Sequence, residues 1–305
     1  MRLGLDLSRH HAAAILADAA GASVCALRAP LPIEGGTPAI WAATMETARE
    51  TLRRASVSSA QVESVALAFD AIVANGVVLK GRNTDGWHGF DLVRALNEHL
   101  EIADARAENR VVCQARGEAR YGALRTDVSR TDETWLYVEV GAGLGAAMGS
   151  GETLWRGARG AFLDIGGICI DRDGGLGLGG RRGTLDAYCS GDGFHSRAAS
   201  YGITQKSARE VWESAPQNFA ARSLCDDFVK RLAQGIGSAC SLLAPQRIVL
   251  GGALAGELGE VLLAPLRTAL GEFCAPPLPQ VIAAQLGDDA AVLGAVVLAA
   301  KSTPE

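Results

Sequence analysis

Asp6 closes an apolar run and is followed by Leu7, Ser8, Arg9, His10 and His11. The three basic residues read either as an anion-binding cluster or as ordinary surface residues on a hairpin turn. The second reading is preferred, because neighbouring histidines on a strand point to opposite faces. Gly141, Gly143 and Gly145 follow another apolar run at 135–140. Glycines after a strand let backbone N–H groups approach a phosphate, although the same turn is common where two backbones merely pack closely. Gly251 and Gly252 make a second such turn after 247–250. Asp70 ends the run 62–69, and strand ends face the ligand in open α/β folds. Asp164 and Asp186 lie near glycines, where aspartate commonly caps a turn or a helix. The seven cysteines, at 25, 113, 169, 189, 225, 240 and 274, include no CxxC pair. Neither a disulfide framework nor a cysteine-based zinc site is expected from them, and they read as small buried apolar side chains.

The elements that would position these residues come in a repeated order. Residues 2–7 and 11–17 read as short strands around a turn, and 21–27 supplies a third. Thr37 offers an N-cap with Pro38 at the first helical position, and Ile40, Trp41, Thr44, Met45, Ala48 and Leu52 recur at helical spacing. A strand at 62–69, a turn at Asn75-Gly76 and a helix at 91–100 with Leu92, Leu96 and Leu100 on one side follow. From Trp135 the order begins again, with a strand at 135–140, the glycine turn at 141–145 and a second strand ending near Gly149-Ser150. Later come a helix through Phe228, Leu232, Ile236, Cys240 and Leu243, a strand at 247–250 and the turn at Gly251-Gly252. This weak internal repeat predicts a duplicated α/β domain with a cleft between the halves.

Composition narrows the function classes. The chain has 305 residues, 48% of them hydrophobic, enough for two domains with separate cores. A net charge of −5 argues against nonspecific affinity for nucleic acid, which needs a surplus of Lys and Arg. The apolar stretches at 241–244 and 292–300 fall short of the roughly 20 residues of a spanning helix, and MRLGLDLSRHH lacks the apolar core of a signal peptide. A cytoplasmic protein without membrane or nucleic-acid partners is therefore expected.

Longer motifs bring a family into view. ARAENRVVCQARGEARYG at 105–122 resembles the V-x-V-E-N-D-A-N-x-A-A-L-G-E stretch of the ROK family (repressors, open reading frames and kinases): Glu108, Asn109 and Glu118 match, and Arg110 falls on the catalytic Asp. GAGLGAAMGSGETLWRGARGAFLDIGG at 141–167 is similar to the family's G-T-G-I-G-G-G-I and the following G-E-I-G-H, RIVLGGALAG at 247–256 to the strand and turn flanking adenosine, and LGDDAAVLGAVVLAA at 286–300 to the closing G-D-x-A-x-x-G-A-A helix. The resemblance spans nearly the whole chain. It implies two ribonuclease-H-like (actin-like, hexokinase-like) α/β domains with a ligand cleft between them, an N-terminal one over 1–110 plus a helix at about 288–305 and a C-terminal one over 111–287. It also implies a homodimer.

The same resemblance assigns roles and shows departures. In the first phosphate turn, D-I-G-G-T-K becomes Asp6-Leu7-Ser8-Arg9-His10-His11: the Asp commonly linked to Mg²⁺ is kept, and both glycines are lost, which puts close backbone approach to a triphosphate in doubt. The second turn keeps Gly141, Gly143 and Gly145 but has Ala142 for threonine, and with Gly251 and Gly252 it would hold nucleotide. The zinc positions of G-E-I-G-H and C-x-C-G-x-x-G-C-L-E are Gly167, Gly177, Gly179 and Thr184, none of which offers a zinc donor, so no zinc is expected. The loop 171–183 must then be held by turns and packing, and its glycine content predicts mobility. Asp164 and Asp186 stand for the two glutamates that accept sugar hydroxyls, and Asn83 (in Arg82-Asn83-Thr84-Asp85-Gly86-Trp87, similar to N-x-x-G-W) and Asn109 would join them.

A phosphotransfer to a sugar hydroxyl needs a proton acceptor, and a guanidinium cannot be one. Arg110 could instead pair with Glu108, Asp164 or Asp186. One reading is therefore a kinase-derived protein that binds a hexose, a hexose derivative or a sugar phosphate without phosphotransfer. The other is an active Mg-ATP-dependent kinase for glucose or an N-acetylhexosamine, with a relocated base at Asp70 or Asp164. The first is preferred, because loss of one element can abolish phosphoryl transfer. A family repressor is set aside, since it would carry a helix-turn-helix domain ahead of the first strand.

Overall fold

In the computed structural model, which describes residues 1–80, 86–125, 132–157, 163–177, 180–205 and 207–300, contacts divide the chain into two units. One is Met1–Gly122 with Arg156–Ala161 and Asp289–Glu305; the other is Ala123–Trp155 with Phe162–Asp288. The first unit begins with β1 (Arg2–Leu7), β2 (His11–Ala17), β3 (Ser23–Pro30), α1 (Gly36–Arg54), β4 (Ser64–Phe69), β5 (Ile72–Ala74), β6 (Val77–Lys80), α2 (Leu92–Leu100), β7 (Asp104–Asn109) and α3 (Arg110–Tyr121). The second has β8 (Thr134–Val140), β9 (Leu144–Ser150), β10 (Thr153–Leu154), α4 (Leu185–Cys189), α5 (Gly191–Ser200), α6 (Ala208–Ser214), α7 (Phe219–Leu243), β11 (Arg247–Gly251), α8 (Ala253–Leu258), α9 (Glu260–Leu270) and β12 (Gln280–Ala283), after which α10 (Ala290–Ala299) returns to the first.

The repeat read from the sequence is present in the sheets. Their strand orders are β3-β2-β1-β4-β7 and β10-β9-β8-β11-β12. In each, an antiparallel three-strand meander is extended on its first strand by two parallel strands. The central strands β1 and β4 are buried along nearly their whole length, as expected of strands covered on both faces.

What holds the body of α3 in place is a close backbone contact. The helix α10, AAVLGAVVLA, is apolar all round and buried on most sides. A side-chain carbon at Gly4 of β1 would lie 2.7 Å from the Val292 carbonyl oxygen. One at Gly294 would lie 1.7 Å from the Cys113 carbonyl oxygen, and one at Gly117 2.3 Å from that of Ala290. The glycines thus let α10 touch β1 and α3 backbone to backbone.

Two local expectations shift. The helix α1 starts at Gly36, whose φ of 65° turns the chain after a 3₁₀ turn at Ile33–Gly35, so glycine rather than a Thr37 cap makes the entry. The expected helix at 91–100 forms as Leu92–Leu100, with the Asp91 carboxylate accepting from the Arg94 N–H at 2.9 Å. Among the described residues no helix is long and apolar enough to cross a membrane.

Candidate functional site

In the first unit, the parallel register sets Leu7 beside Phe69 and Phe69 beside Asn109. Three chain exits, at Ser8, Asp70 and Arg110, are therefore level at one sheet edge. Asn109 caps α3: its Oδ1 accepts from the N–H of Val111 at 2.8 Å and of Val112 at 3.3 Å, and its Nδ2 donates to the Ala71 carbonyl at 2.9 Å. Both ends of the amide expected to bind substrate are thus used to start the helix and join it to β4's exit. The neighbouring Glu108, which is buried, accepts from the Asn109 N–H at 2.9 Å and from the Arg156 guanidinium. Burial lowers the pKa of Arg156 from its ordinary value.

Arg110, first residue of α3, reaches β1. Its Nε donates to Asp6 Oδ1 at 2.9 Å and its Nη2 to Oδ2 at 3.3 Å. Asp6 is completely buried, and Arg110 is 15% exposed. A buried carboxylate needs such a partner, and the two-point guanidinium contact is the strong form of the pair. None of the three pairings expected for Arg110 from the sequence, with Glu108, Asp164 or Asp186, accounts for this contact. The sequence did not show that the end of β1 lies under residue 110.

The turn after β1 is a closed hairpin. The Ser8 N–H donates to the His11 carbonyl at 3.0 Å, the Ser8 hydroxyl to the same carbonyl at 2.8 Å, and the His11 N–H to Ser8 Oγ at 3.2 Å. Two of its amides are therefore turned inward on the turn itself. Arg9 and His10 are exposed at its tip. The His11 ring goes elsewhere, with Nε2 3.9 Å from Asp6 Oδ2 and 2.7 Å from Arg28 Nη1. Arginine can only donate, so Nε2 accepts and the ring proton sits on Nδ1. Arg28 also donates to Asp289 Oδ1 at 2.8 Å. Neither Arg28 nor Arg156 was singled out in the sequence, where nothing marks an arginine whose partner lies on a distant strand.

Asp70 is exposed at the exit of β4. Asn83 lies outside the described residues, as does most of its loop. The loop's Trp87 is buried, with its ring edge-on to Phe69 at 5.1 Å and Phe90 at 5.2 Å.

In the second unit, the glycine turn after β8 is bonded to α5: the Gly191 N–H donates to the Gly141 carbonyl at 2.7 Å and the Asp192 N–H to that of Ala142 at 3.2 Å. Gly145 pairs with Glu139 inside the β8–β9 ladder, and the Gly143 carbonyl accepts from the Gly141 N–H at 2.9 Å. A side-chain carbon at Gly251 would fall 2.2 Å from Tyr137 Oη, and one at Gly252, where φ is 92°, 2.7 Å from the Val140 carbonyl oxygen. Close packing therefore requires glycine at 251 and 252. At Gly141 the nearest atom would be 3.6 Å away, an ordinary contact, so packing does not demand glycine there.

Asp186 is buried on α4 and accepts from the Leu144 N–H at 3.0 Å, tying α4 to β9. Asp164 is exposed and pairs with Arg181 at 2.5 Å. A side-chain carbon at Gly167 would lie 2.4 Å from Arg181 Nη2 and 2.5 Å from Asp164 Oδ2, so that ion pair fills the space of a side chain at 167. One at Gly177 would lie 2.6 Å from Thr184 Oγ1. These two positions converge without a zinc donor at either, and Gly179 lies outside the described residues. Among the described residues no group of three or more His, Cys, Asp or Glu side chains is placed to hold a metal ion.

The loop expected to rest on turns and packing has a further anchor. Asp171 accepts from the Tyr188 hydroxyl at 2.9 Å and from Arg231 at 3.3 Å. Arg231 also grips Asp227 at 2.8 Å, and its Cζ sits 3.9 Å from the Tyr188 ring centre, a cation–π contact. The Tyr188 hydroxyl first, and Arg231 second, hold the Asp171 carboxyl below its ordinary value, and burial first and Asp171 second push the Tyr188 hydroxyl up. A lowered acid stabilises the fold above its unfolded-state pKa and loses that contribution as pH falls through the folded value. A raised one contributes below its unfolded value and is lost as pH rises through the folded one. We predict that Tyr188→Phe lowers the thermal midpoint at neutral pH and that its gap from wild type narrows as pH falls below the ordinary carboxylate value of about 4, through the lowered pKa of Asp171. An undiminished gap in scanning calorimetry across that range would refute the assignment.

The ROK family model matches residues 2–302. This chain belongs to the ROK family. An N-acetylmannosamine kinase of Escherichia coli O139:H28 is 30% identical over 260 residues, 84% of this chain and 86% of that one. Among solved structures, a ROK hexokinase from Thermus thermophilus superposes with a TM-score of 0.78 at 25% identity over 97% of each chain. A ROK family glucokinase from Streptomyces griseus, solved with glucose and AMPPNP, does so with a TM-score of 0.77 at 24% identity over 98% of each. The ROK protein described here thus has the two-domain, actin-like α/β fold of these sugar kinases and is sugar-kinase-like. Within that ROK fold, residue 110 is an arginine bound to Asp6.

Proposed function

We propose that this ROK protein binds a hexose, a hexose derivative or a sugar phosphate and does not transfer phosphate to it from ATP. The observation that carries the reading is Arg110, at the position of the family's catalytic Asp, bound at two points to a buried Asp6. Its guanidinium accepts no proton, so the sugar oxygen that would attack has no base there. Asp6, the carboxylate expected to serve Mg²⁺, has both oxygens engaged. The hairpin amides of Ser8 and His11 bond within their own turn instead of toward a phosphate.

Sugar contacts fall to Asp164, Asp186 and Asn83, and at Asn109 to the second Nδ2 hydrogen, since Oδ1 and the first serve the start of α3. Asp186 would offer its carboxylate beside the Leu144 N–H that it already accepts, and Asp164 would bind a hydroxyl in company with Arg181. Nucleotide contacts fall to Gly141, Gly143, Gly145, Gly251 and Gly252. The relatives named as N-acetylmannosamine kinase, hexokinase and glucokinase favour neutral hexoses and N-acetylhexosamines as the first compounds to test, and Arg110 adds their phosphates.

One observation favours the second reading, an active kinase. Asp70 is exposed and leaves its strand level with residue 110, within the same sheet edge. Asp164 is the weaker substitute, because Arg181 already holds it. ADP release from Mg-ATP, measured with a panel of hexoses, N-acetylhexosamines and their phosphates, separates the two. Alongside a thermal-shift screen of the same compounds, we expect stabilisation by a sugar or sugar phosphate with no sugar-dependent ADP. Sugar-dependent release that disappears in Asp70→Ala would overturn the proposal.

A further inference from the structure

We infer that Arg110 is the resident cation of the first unit's site, standing where a divalent metal would otherwise be linked to Asp6, and that this chain binds no divalent cation there. The inference deepens the proposed function and rests on its placement of residue 110.

Asp6 has two oxygens, and each has an N–H of Arg110 aimed at it, at 2.9 Å and 3.3 Å. A divalent ion of the magnesium class needs carboxylate oxygens at about 2.0–2.1 Å in a near-octahedral set, and keeps several waters. It would also have to sit within a few ångströms of a permanent positive charge, in a place where Asp6 is wholly buried and the Coulomb cost is poorly screened. The metal and the guanidinium therefore exclude each other.

Arg110 is not free to swing away without consequence. It is the first residue of a helix whose start is fixed by the Asn109 cap and whose body is clamped to α10 at Gly117 and Gly294. On the other side of Asp6, His11 offers Nε2 as an acceptor to Arg28, and Arg28 is tied to Asp289. Asp6 is thus surrounded by cationic or neutral nitrogen groups from β2 and α3.

The ligand of this unit is accordingly recognised without a bridging metal, so its affinity is unchanged between a chelator and millimolar Mg²⁺. The direct test uses Mn²⁺ alone, followed by electron paramagnetic resonance of the free ion. Wild-type protein is expected to leave the free Mn²⁺ signal unchanged. Arg110→Asp removes the cation and adds a carboxylate, and is expected to take up about one Mn²⁺ per chain, to gain thermal stability as Mn²⁺ is raised, and to lose both properties in the Asp6→Asn/Arg110→Asp double variant. If Arg110→Asp does not fold without the ion, Arg110→Ser, which removes the cation without adding a like charge, carries the same comparison.

Uptake of Mn²⁺ by the wild type that is lost in Asp6→Asn would overturn the inference. So would failure of folded Arg110→Asp and Arg110→Ser to gain any. These readouts are separate from ADP release: a wild type that binds Mn²⁺ at Asp6 but releases no ADP sinks only the metal exclusion. One that releases sugar-dependent ADP without such binding sinks only the non-catalytic reading.

Discussion

Replacing Arg110 by methionine, which keeps the length of the side chain but removes its charge, is expected to destabilise the first unit by about 3–5 kcal/mol. That is the usual cost of leaving one member of a buried ion pair alone. Asp6 is wholly buried, and water cannot replace the two guanidinium contacts without opening the edge where β1, β4 and β7 end. His11, 3.9 Å away, has its Nε2 lone pair directed to Arg28 and is a poor substitute. The second substitution of a cycle makes the expectation specific. Asp6→Asn/Arg110→Met should be less destabilised than Arg110→Met alone, because no uncompensated charge remains. Urea unfolding followed by far-ultraviolet circular dichroism measures both. An Arg110→Met variant within about 1 kcal/mol of wild type, the range of an exposed ion pair, would mean that the pair is not the buried structural contact described here. The same result would weaken the proposed function, which takes the cation at residue 110 to be a fixed part of the site.

Gly294→Ala is expected to cost about 3 kcal/mol, the upper end of ordinary overpacking, although it adds one methyl group to a helix and alanine is the better helix former. The added carbon would lie 1.7 Å from the Cys113 carbonyl oxygen, and both partners are backbone, so no rotamer change relieves the overlap. The helices α3 and α10 must move apart, and α10 is already held against β1 at Gly4. The strain therefore falls on α3, which carries Arg110, and the variant should weaken any ligand affinity of the first unit as well as its stability. Gly256→Ala is the control. It also lies inside a helix, with nothing within 4 Å of the added carbon, and should be neutral or stabilising by about 1 kcal/mol. Equal midpoints for the two variants in chemical unfolding would contradict the close α3–α10 contact.

The legible parts of this fold were those in which local pattern and burial agree. The runs at 2–7, 11–17 and 62–69 are apolar because their strands are central, and they appear as β1, β2 and β4. The helix at 91–100 announced itself by the spacing of Leu92, Leu96 and Leu100. Strand β7 did not. Its sequence, DARAEN, turns only two small alanines, Ala105 and Ala107, toward the core, too little apolar surface to mark a strand, and it lies at the sheet edge, held by its register with β4. Helix α3 misleads in the other direction. Its Arg116 and Glu118 are both buried, and burial lowers the pKa of Arg116, whereas charged residues at such spacing suggest a solvated face. The anchor of the glycine-rich loop was equally hidden, since Asp171, Tyr188 and Arg231 meet only after three elements have packed.

The sequence by itself determined the duplicated α/β architecture and the family. It also determined the chemical types at the decisive positions: an arginine at 110, an aspartate at 6, and glycine or threonine where zinc donors would stand. These follow from residue type and order, which need no coordinates. Only the tertiary structure decided what Arg110 does. Of the carboxylates that could have met its charge, it takes Asp6, 104 positions away, because β1 and β7 flank β4 in one parallel register and α10 pins α3 at its glycines. A charge's partner is set by which chain ends the sheet brings level, and that choice is a long-range property no local pattern encodes.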